Sequence, residues 1–136
     1  MCWLILFSFL FYSLNVTGFR IKNFVFVTSC MKDEPVDLVF WIPYAASVIT
    51  FIIIPHVGQW FLLGVFLLFH VVCFFSTYKY WIWSNEEKTV SYHRHFSHTH
   101  HIIKVREKIL VPDTFHIIVF SLLFINLIAT ILFILM

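Results

Sequence analysis

The stretch LVFWIPYAASVITFIIIPHVGQWFLLGVFLLFHVVCFFSTY, from Leu38 to Tyr78, decides how the chain is read. It contains no aspartate, glutamate, lysine or arginine. About 20 apolar residues in a helix cross a hydrocarbon layer, and this run is about twice that long. Its apolar positions are continuous rather than alternating, which argues helix over strand. Near its midpoint stands Pro55-His56-Val57-Gly58-Gln59. Proline and glycine break helices there, and His56 and Gln59 prefer water. The run therefore divides into Leu38–Ile54 and a second helix from Trp60, turned at residues 55–59.

Two further stretches, Met1–Phe19 and Thr114–Met136, also lack charged side chains. Backbone polar groups cannot stay unpaired in hydrocarbon, so each such stretch must be helical. The expected fold is all-α: a polytopic integral membrane protein with four transmembrane helices in a small bundle. The helices cover about 2–19, 38–54, 60–82 and 114–136 of a single membrane domain, joined by loops 20–37 and 83–113. Composition agrees. Of 136 residues, 61% are hydrophobic and 12% charged, far from the balance of a soluble domain. Eighteen phenylalanines against three glycines fit lipid-facing helices better than a packed aqueous core. Trp3, Trp41, Tyr44 and Trp60 open helices, and Tyr78, Tyr80, Trp81 and Trp83 close one, as interfacial aromatics do. No basic residue precedes the first apolar run and no small-x-small site ends it, so it reads as a retained helix rather than a cleaved signal. Close helix contacts are expected at Ala45, Ala46, Ser47, Gly64 and Ala129.

Charge sets the orientation. Arg20, Lys22 and Lys32 lie in the first loop; Lys79 lies at the end of the third helix, and Lys88, Arg94, Lys104, Arg106 and Lys108 lie between it and the fourth. Positive residues stay cytoplasmic, so both loops face the cytoplasm and the two ends, with the 55–59 turn, face the lumen or exterior. The acceptor triplet Asn15-Val16-Thr17 is then at the cytoplasmic end of its helix and is expected to carry no glycan. Cys2, Cys30 and Cys73 fall at different depths and form no disulfide framework.

Two segments of the long loop carry chemistry. His93-Arg94-His95-Phe96-Ser97-His98-Thr99-His100-His101 holds five histidines in nine residues. Neutral imidazoles ligate zinc and iron, and His95, His98 and His101 stand at i, i+3, i+6, in line on a helix if the helix continues. Glu86, Glu87 or Glu107 are candidate oxygen ligands. Zinc or iron there would make the chain a metal-dependent membrane enzyme. The competing reading is a surface segment whose charge follows pH, since histidine titrates near neutrality. Ile102 to Leu110 is a basic amphipathic run suited to a membrane surface, and Asp113 is placed to cap the last helix. His70 lies at hydrocarbon depth, where an ionisable group is costly; it is expected to hydrogen-bond within the bundle or to bind cargo rather than to ligate a cofactor. His56 and His70 have the spacing of paired haem ligands, but a break at Pro55–Gly58 takes His56 off that helix.

The cluster from His93 to His101 resembles the H-x-x-H-H boxes of membrane desaturases and hydroxylases over nine residues. The whole layout resembles the cornichon family. Cys30 stands in the first cytoplasmic loop, as a cysteine does there. Trp60-Phe61-Leu62-Leu63-Gly64-Val65-Phe66-Leu67-Leu68-Phe69-His70 is similar to the family's third helix, and Phe115-His116-Ile117-Ile118 to the start of its last. The family's Asn-Pro before the cysteine is replaced by Val27-Thr28-Ser29, its third-helix proline is missing, and its acidic-Pro-Thr stretch has no counterpart. The resemblance implies a multi-pass cargo receptor of the endoplasmic reticulum and Golgi, working in vesicle-mediated transport. It would bind other membrane proteins within the bilayer, with Trp60, His70 and His116 as contact residues, and a cytoplasmic coat adaptor through its loops. No catalytic role, no resident cofactor and no nucleic-acid partner are expected on this reading. A small structural subunit of a larger, respiratory-type membrane complex is the alternative, because such subunits are equally short and apolar. Only His70, Asn126 and a few hydroxyls interrupt the spans, which argues against a transporter or channel.

Overall fold

The computed structural model describes residues 1–29, 36–83, 85–105 and 109–136. Cys30, Lys32, Arg106, Glu107 and Lys108, which figure in the readings above, lie outside the described residues.

The chain is mostly helical. Helix α1 spans Cys2–Thr17, α2 Val36–Ile53, α3 Pro55–Cys73, α4 Glu86–His95 and α5 Thr114–Leu135. Helix α3 runs on through a π-helical turn, Phe74–Tyr78, and a last α-turn, Lys79–Ile82. A small antiparallel hairpin, β1 (Phe19–Ile21) and β2 (Phe24–Val27), sits between α1 and α2. Helices α1, α2, α3 and α5 form a closed ring, each packed on two neighbours. Neighbours run antiparallel. The Tyr44 hydroxyl reaches Ile5 O while Asn15 bonds Asp37; Asn126 bonds Ser8 while Phe115 stacks on Phe11. This is up-down four-helix connectivity.

Among the described residues, two helices are long and apolar enough to cross a membrane. Pro55–Ile82 has 28 residues and a mean hydropathy of 2.1, and Thr114–Leu135 has 22 residues and 2.9. In each, only 22% of the most apolar window is buried inside the molecule. A core helix of a water-soluble domain hides most of such a surface; here Phe61, Leu68, Ile125 and Leu132 all stand outside. Helices α1 and α2 are apolar but shorter.

The interior is aromatic. Phe66 and Phe115 are almost fully buried with Ile5 and Leu62. Tyr44 packs on Phe9, Tyr12 and Phe66, and Phe69 packs edge-on to Tyr12 and Phe40. Such pairs contribute about 0.5–1.5 kcal/mol each beyond their buried area. Part of the phenylalanine excess therefore builds the core and not only the outer surface.

The structure corrects three local expectations. First, the turn is not at 55–59. Ile54 alone joins α2 to α3, and Pro55 occupies the first helical turn, where its fixed φ and missing N–H cost nothing. His56 is consequently on α3 with His70. Second, the close backbone approach is at Gly58. A Cβ there would run into the backbone of Phe51 across the hairpin, whereas a Cβ on Gly64 meets nothing. Gly64→Ala is accordingly expected to raise stability by about 0.5–1 kcal/mol through helix propensity alone; a thermal unfolding scan in detergent measures it. Third, the start of the segment expected as loop 20–37 is an antiparallel strand pair, with a two-residue turn at Lys22-Asn23 where Lys22 takes a left-handed φ of 51°.

Candidate functional site

The charged side chains among the described residues collect at one end, where α1, α3 and the β-hairpin finish and α2 and α5 begin. Asn85 caps α4 by accepting from the Lys88 amide at 2.9 Å. Helix α4 then lies across this end. It stops at His95, because Thr99 turns back, its N–H and hydroxyl both donating to Phe96 O at 3.1 and 2.9 Å. The next residue joins the hairpin: His100 N–H donates to Val25 O at 3.1 Å. His100 Nδ1 and the Thr114 hydroxyl are 2.8 Å apart, and the Thr114 amide donates to His100 O. The histidine-rich segment is thereby strapped to the start of α5.

Asp113 closes the strap. It is fully buried and caps α5, accepting from the His116 amide at 2.9 Å and facing His116 Nδ1 at 2.6 Å. Burial pushes its carboxyl up, but the hydrogen bonds and charge of His116 outweigh that and hold it below the ordinary value. His93 shifts for another reason. Burial, and then His101 nearby, hold its imidazole below the usual range, and its Nε2 accepts the Val111 N–H at 3.1 Å.

Beneath α4 lies a cavity of about 400 Å³. Tyr12 and Asn15 of α1 and Asp37 and Phe40 of α2 form one wall. Phe69, Cys73, Ser76 and Thr77 of α3 form the second, and Phe115, His116 and Phe120 of α5 the third. Lys88, Ser91, Tyr92 and His95 of α4 make the roof. The Asn15 amide donates to Asp37 Oδ2, and the Tyr12 hydroxyl reaches Asp37 O at 3.3 Å. The π-helical turn matters here. Such turns insert an extra residue and recur at functional sites; this one spans Ser76 and Thr77 in the cavity wall and Tyr78, whose hydroxyl lies 3.3 Å from His70 Nδ1.

The residues singled out by sequence are not gathered in one place. His95 lines the cavity, His98 is exposed in the turn after α4, and His101 turns its Nδ1 to Thr99 O at 2.9 Å. The i, i+3, i+6 alignment does not form, since the helix ends at the first of the three. Among the described residues no three His, Cys, Asp or Glu side chains stand together as a metal-ligand set. His116 is in the cavity wall. His70 is half-buried between Phe69, Tyr78 and Phe124, and Trp60 projects from the far end of α3, 57% exposed. His56 and His70 share a helix, yet His116, the histidine of α5, sits beside Tyr92 and Phe96 at the capped end, level with neither. Cys2 and Cys73 are free thiols. Ile102 to Val105 is not helical, and its apolar side chains are exposed. The Asn15–Asp37 pair was not foreseen; its one sequence signal is a polar residue ending one apolar run and an acid opening the next.

The pKa directions give a pH prediction. A group whose native pKa is depressed stabilises the fold above its unfolded pKa, and that contribution is lost as pH falls through the native one. For His93 the loss begins near its ordinary value of 6.5; for Asp113 it begins only below 3.8. Acidification from pH 7 to 5 is expected to lower hydrogen-exchange protection at the Val111 amide while leaving the His116 amide protected. A glutamine at 93 accepts the same bond without titrating, so His93→Gln should flatten the Val111 response.

In comparisons with known proteins, no family model, no curated protein and no solved structure matches this chain.

Proposed function

We propose that this chain is a four-span integral membrane protein that works without catalysis, as a cornichon-like cargo receptor or auxiliary subunit of the endoplasmic reticulum and Golgi. Helices α1, α2, α3 and α5 are its spans. The capped end faces the cytoplasm; the Ile54 hairpin and the two ends of the chain face the lumen. It binds other membrane proteins through the outer faces of its helices and a coat adaptor through the cap.

The observation that carries this reading is the division of the surface. Outward positions along the four ring helices are apolar, among them Trp3, Ile42, Ile49, Phe61 and Phe124. Every lysine and arginine among the described residues lies at the capped end: Arg20, Lys22, Lys79, Lys88, Arg94 and Lys104. A belt of this kind with one basic rim follows the positive-inside rule. Helix α2 gains the length a crossing needs from the Ile54 turn at one end and the interfacial rim at the other, and α1 from the rim where it meets the β-hairpin. The interior supports binding over transport. Among the described residues its polar groups are few, and those at mid-depth bond locally, Asn126 Nδ2 donating to Ser8 Oγ at 2.6 Å and Ser8 to Leu4 O at 2.8 Å.

Photo-crosslinking from the outward positions Trp60 and Phe61, followed by identification of the adducts, tests the reading. Membrane proteins in transit, recovered together with a coat adaptor, are the expected products. Adducts confined to one complex of fixed stoichiometry would select the structural-subunit reading instead.

A further inference from the structure

We propose that the β-hairpin and residues 99–105 form one interfacial anchor, which lies among the headgroups of the cytoplasmic leaflet and selects anionic phospholipid. The inference rests on the four-span reading, which puts this end of the bundle at that leaflet.

Two segments distant in sequence make one surface. Thr99 bridges to Val25 of β2, and the His100 N–H donates to Val25 O at 3.1 Å. Phe24 packs on the His100 ring, with centroids 5.2 Å apart. The Ile102 N–H donates to the Thr114 hydroxyl oxygen at 3.0 Å, which holds the second segment at the start of α5. The anchor is therefore wider than the basic run from Ile102 that the sequence displays.

Its apolar side chains face outward. Phe19, Ile21, Phe24, Ile102, Ile103 and Val105 are 40–66% exposed. An exposed apolar patch built from two short segments marks a membrane or protein contact. Continuity with the belt decides for lipid. Phe26 packs on Phe11 of α1 and Phe115 of α5, with ring centroids 6.0 and 5.8 Å away, and on Phe19 and Phe24 beside it. The aromatic face of the hairpin thus leans on the α1–α5 side of the bundle. On the four-span reading that side is in lipid, so side chains continuous with it meet the headgroup layer before any cytoplasmic protein.

Charge selects the lipid. Arg20, Lys22 and Lys104 are exposed, and neither residues 17–29 nor 96–105 contain an aspartate or glutamate. Arg20 Nε donates to Lys22 O at 2.9 Å, which folds the guanidinium over the hairpin turn. Its two terminal nitrogens form a fork that suits phosphate oxygens. Phenylalanine and isoleucine on one side with lysine and arginine on the other is the composition of segments that lie in the interface plane. Their binding grows with apolar area and with attraction to anionic lipid. Lysine stems lie along the apolar layer while their ammonium groups stay in water, so the turn at Lys22 remains wetted while Ile21 and Phe24 do not.

The test uses the full chain in bilayer discs of phosphatidylcholine, with and without phosphatidylserine. Nitroxides are attached at Ile21→Cys, Ile103→Cys or Leu68→Cys in a chain whose own cysteines are changed to serine. Collision with oxygen, which enters hydrocarbon, is compared with collision with a neutral, water-soluble nickel chelate. With phosphatidylserine present, the labels at 21 and 103 should be shielded from nickel. Omitting that lipid, or the triple change Arg20→Glu, Lys22→Glu, Lys104→Glu, should raise nickel collision at both at least about threefold. The unmodified chain gives an independent reading: hydrogen exchange over residues 19–27 and 99–105 should slow when phosphatidylserine is added. Nickel access at both sites with phosphatidylserine present, and no slowing of exchange, overturns the proposal in favour of a face open to a cytoplasmic protein. Shielding that is the same in both discs and survives the charge reversal overturns the selection of anionic lipid. The label at 68 separates the two levels. If it is open to oxygen and shielded from nickel while 21 and 103 are not shielded, the anchor alone is refuted; nickel access at 68 refutes the four-span reading.

Discussion

Replacing Gly58 by leucine is expected to abolish folded protein, and Gly58→Ala to cost about 3 kcal/mol or more. Inserting volume into a packed contact costs about 1–3 kcal/mol when side chains give way. Here nothing flexible is in the way: the atoms a Cβ would meet are the Phe51 backbone and its own Cβ. Relief requires α2 and α3 to separate, and the single residue Ile54 between them leaves no slack. Separation would also unseat Phe51, 6% exposed, from Phe133 of α5. The control is Gly64→Ala on the same helix, which adds the same methyl into open space. Monodisperse yield from detergent and the unfolding midpoint of the two alanine variants measure the contrast. Equal behaviour would show that the hairpin is not packed as described.

Asn126→Asp is the second large effect, expected to cost about 3 kcal/mol and to sharply reduce assembled protein, while Asn126→Ala costs about 1 kcal/mol. Asn126 is fully buried, and its amide donates to both Ser8 Oγ at 2.6 Å and Leu122 O at 2.8 Å. Aspartate has nearly the same shape and reverses the chemistry. Ionised, it presents a charge and no donor to two acceptors; protonated, it offers a single O–H. Alanine removes the bonds and imposes no such conflict. A shape argument alone would rank the two variants the other way, so their order decides whether the α1–α5 contact is held by this polar bond.

The helical ring was legible because continuous apolar runs of such length, free of charge, admit few other folds. The Asp113 cap was legible too, because capping is decided within three residues, and the His116 amide does bond it. What escaped was decided by neighbours in space. Pro55 was read as a helix breaker, which it is in a helix interior; with Ile54 taking the bend it became a helix starter. Gly64 and Gly58 look alike in sequence, and only the packing of α2 tells which one must lack a side chain. The spacing of His95, His98 and His101 suits a helical face, but Thr99 leaves the helix to meet β2 at Val25, a contact formed by residues 74 positions apart. The cavity was invisible for the same reason. Asn15, Asp37, Thr77, Lys88 and His116 come from five separate segments and share no local pattern.

The central claim is that four helices cross the membrane with the capped end in the cytoplasm, and thiol accessibility tests it most directly. Single cysteines are placed at Lys22, Val57, Ser97 and Met136 in a chain whose own cysteines are changed to serine, then labelled with an impermeant maleimide on sealed vesicles whose cytoplasmic face is outward. The account predicts that Lys22→Cys and Ser97→Cys label at once, and that Val57→Cys and Met136→Cys label only after the vesicles are opened. Labelling of Val57→Cys together with Ser97→Cys in closed vesicles would contradict it, because the α2–α3 hairpin and the cap would then lie on one side of the membrane.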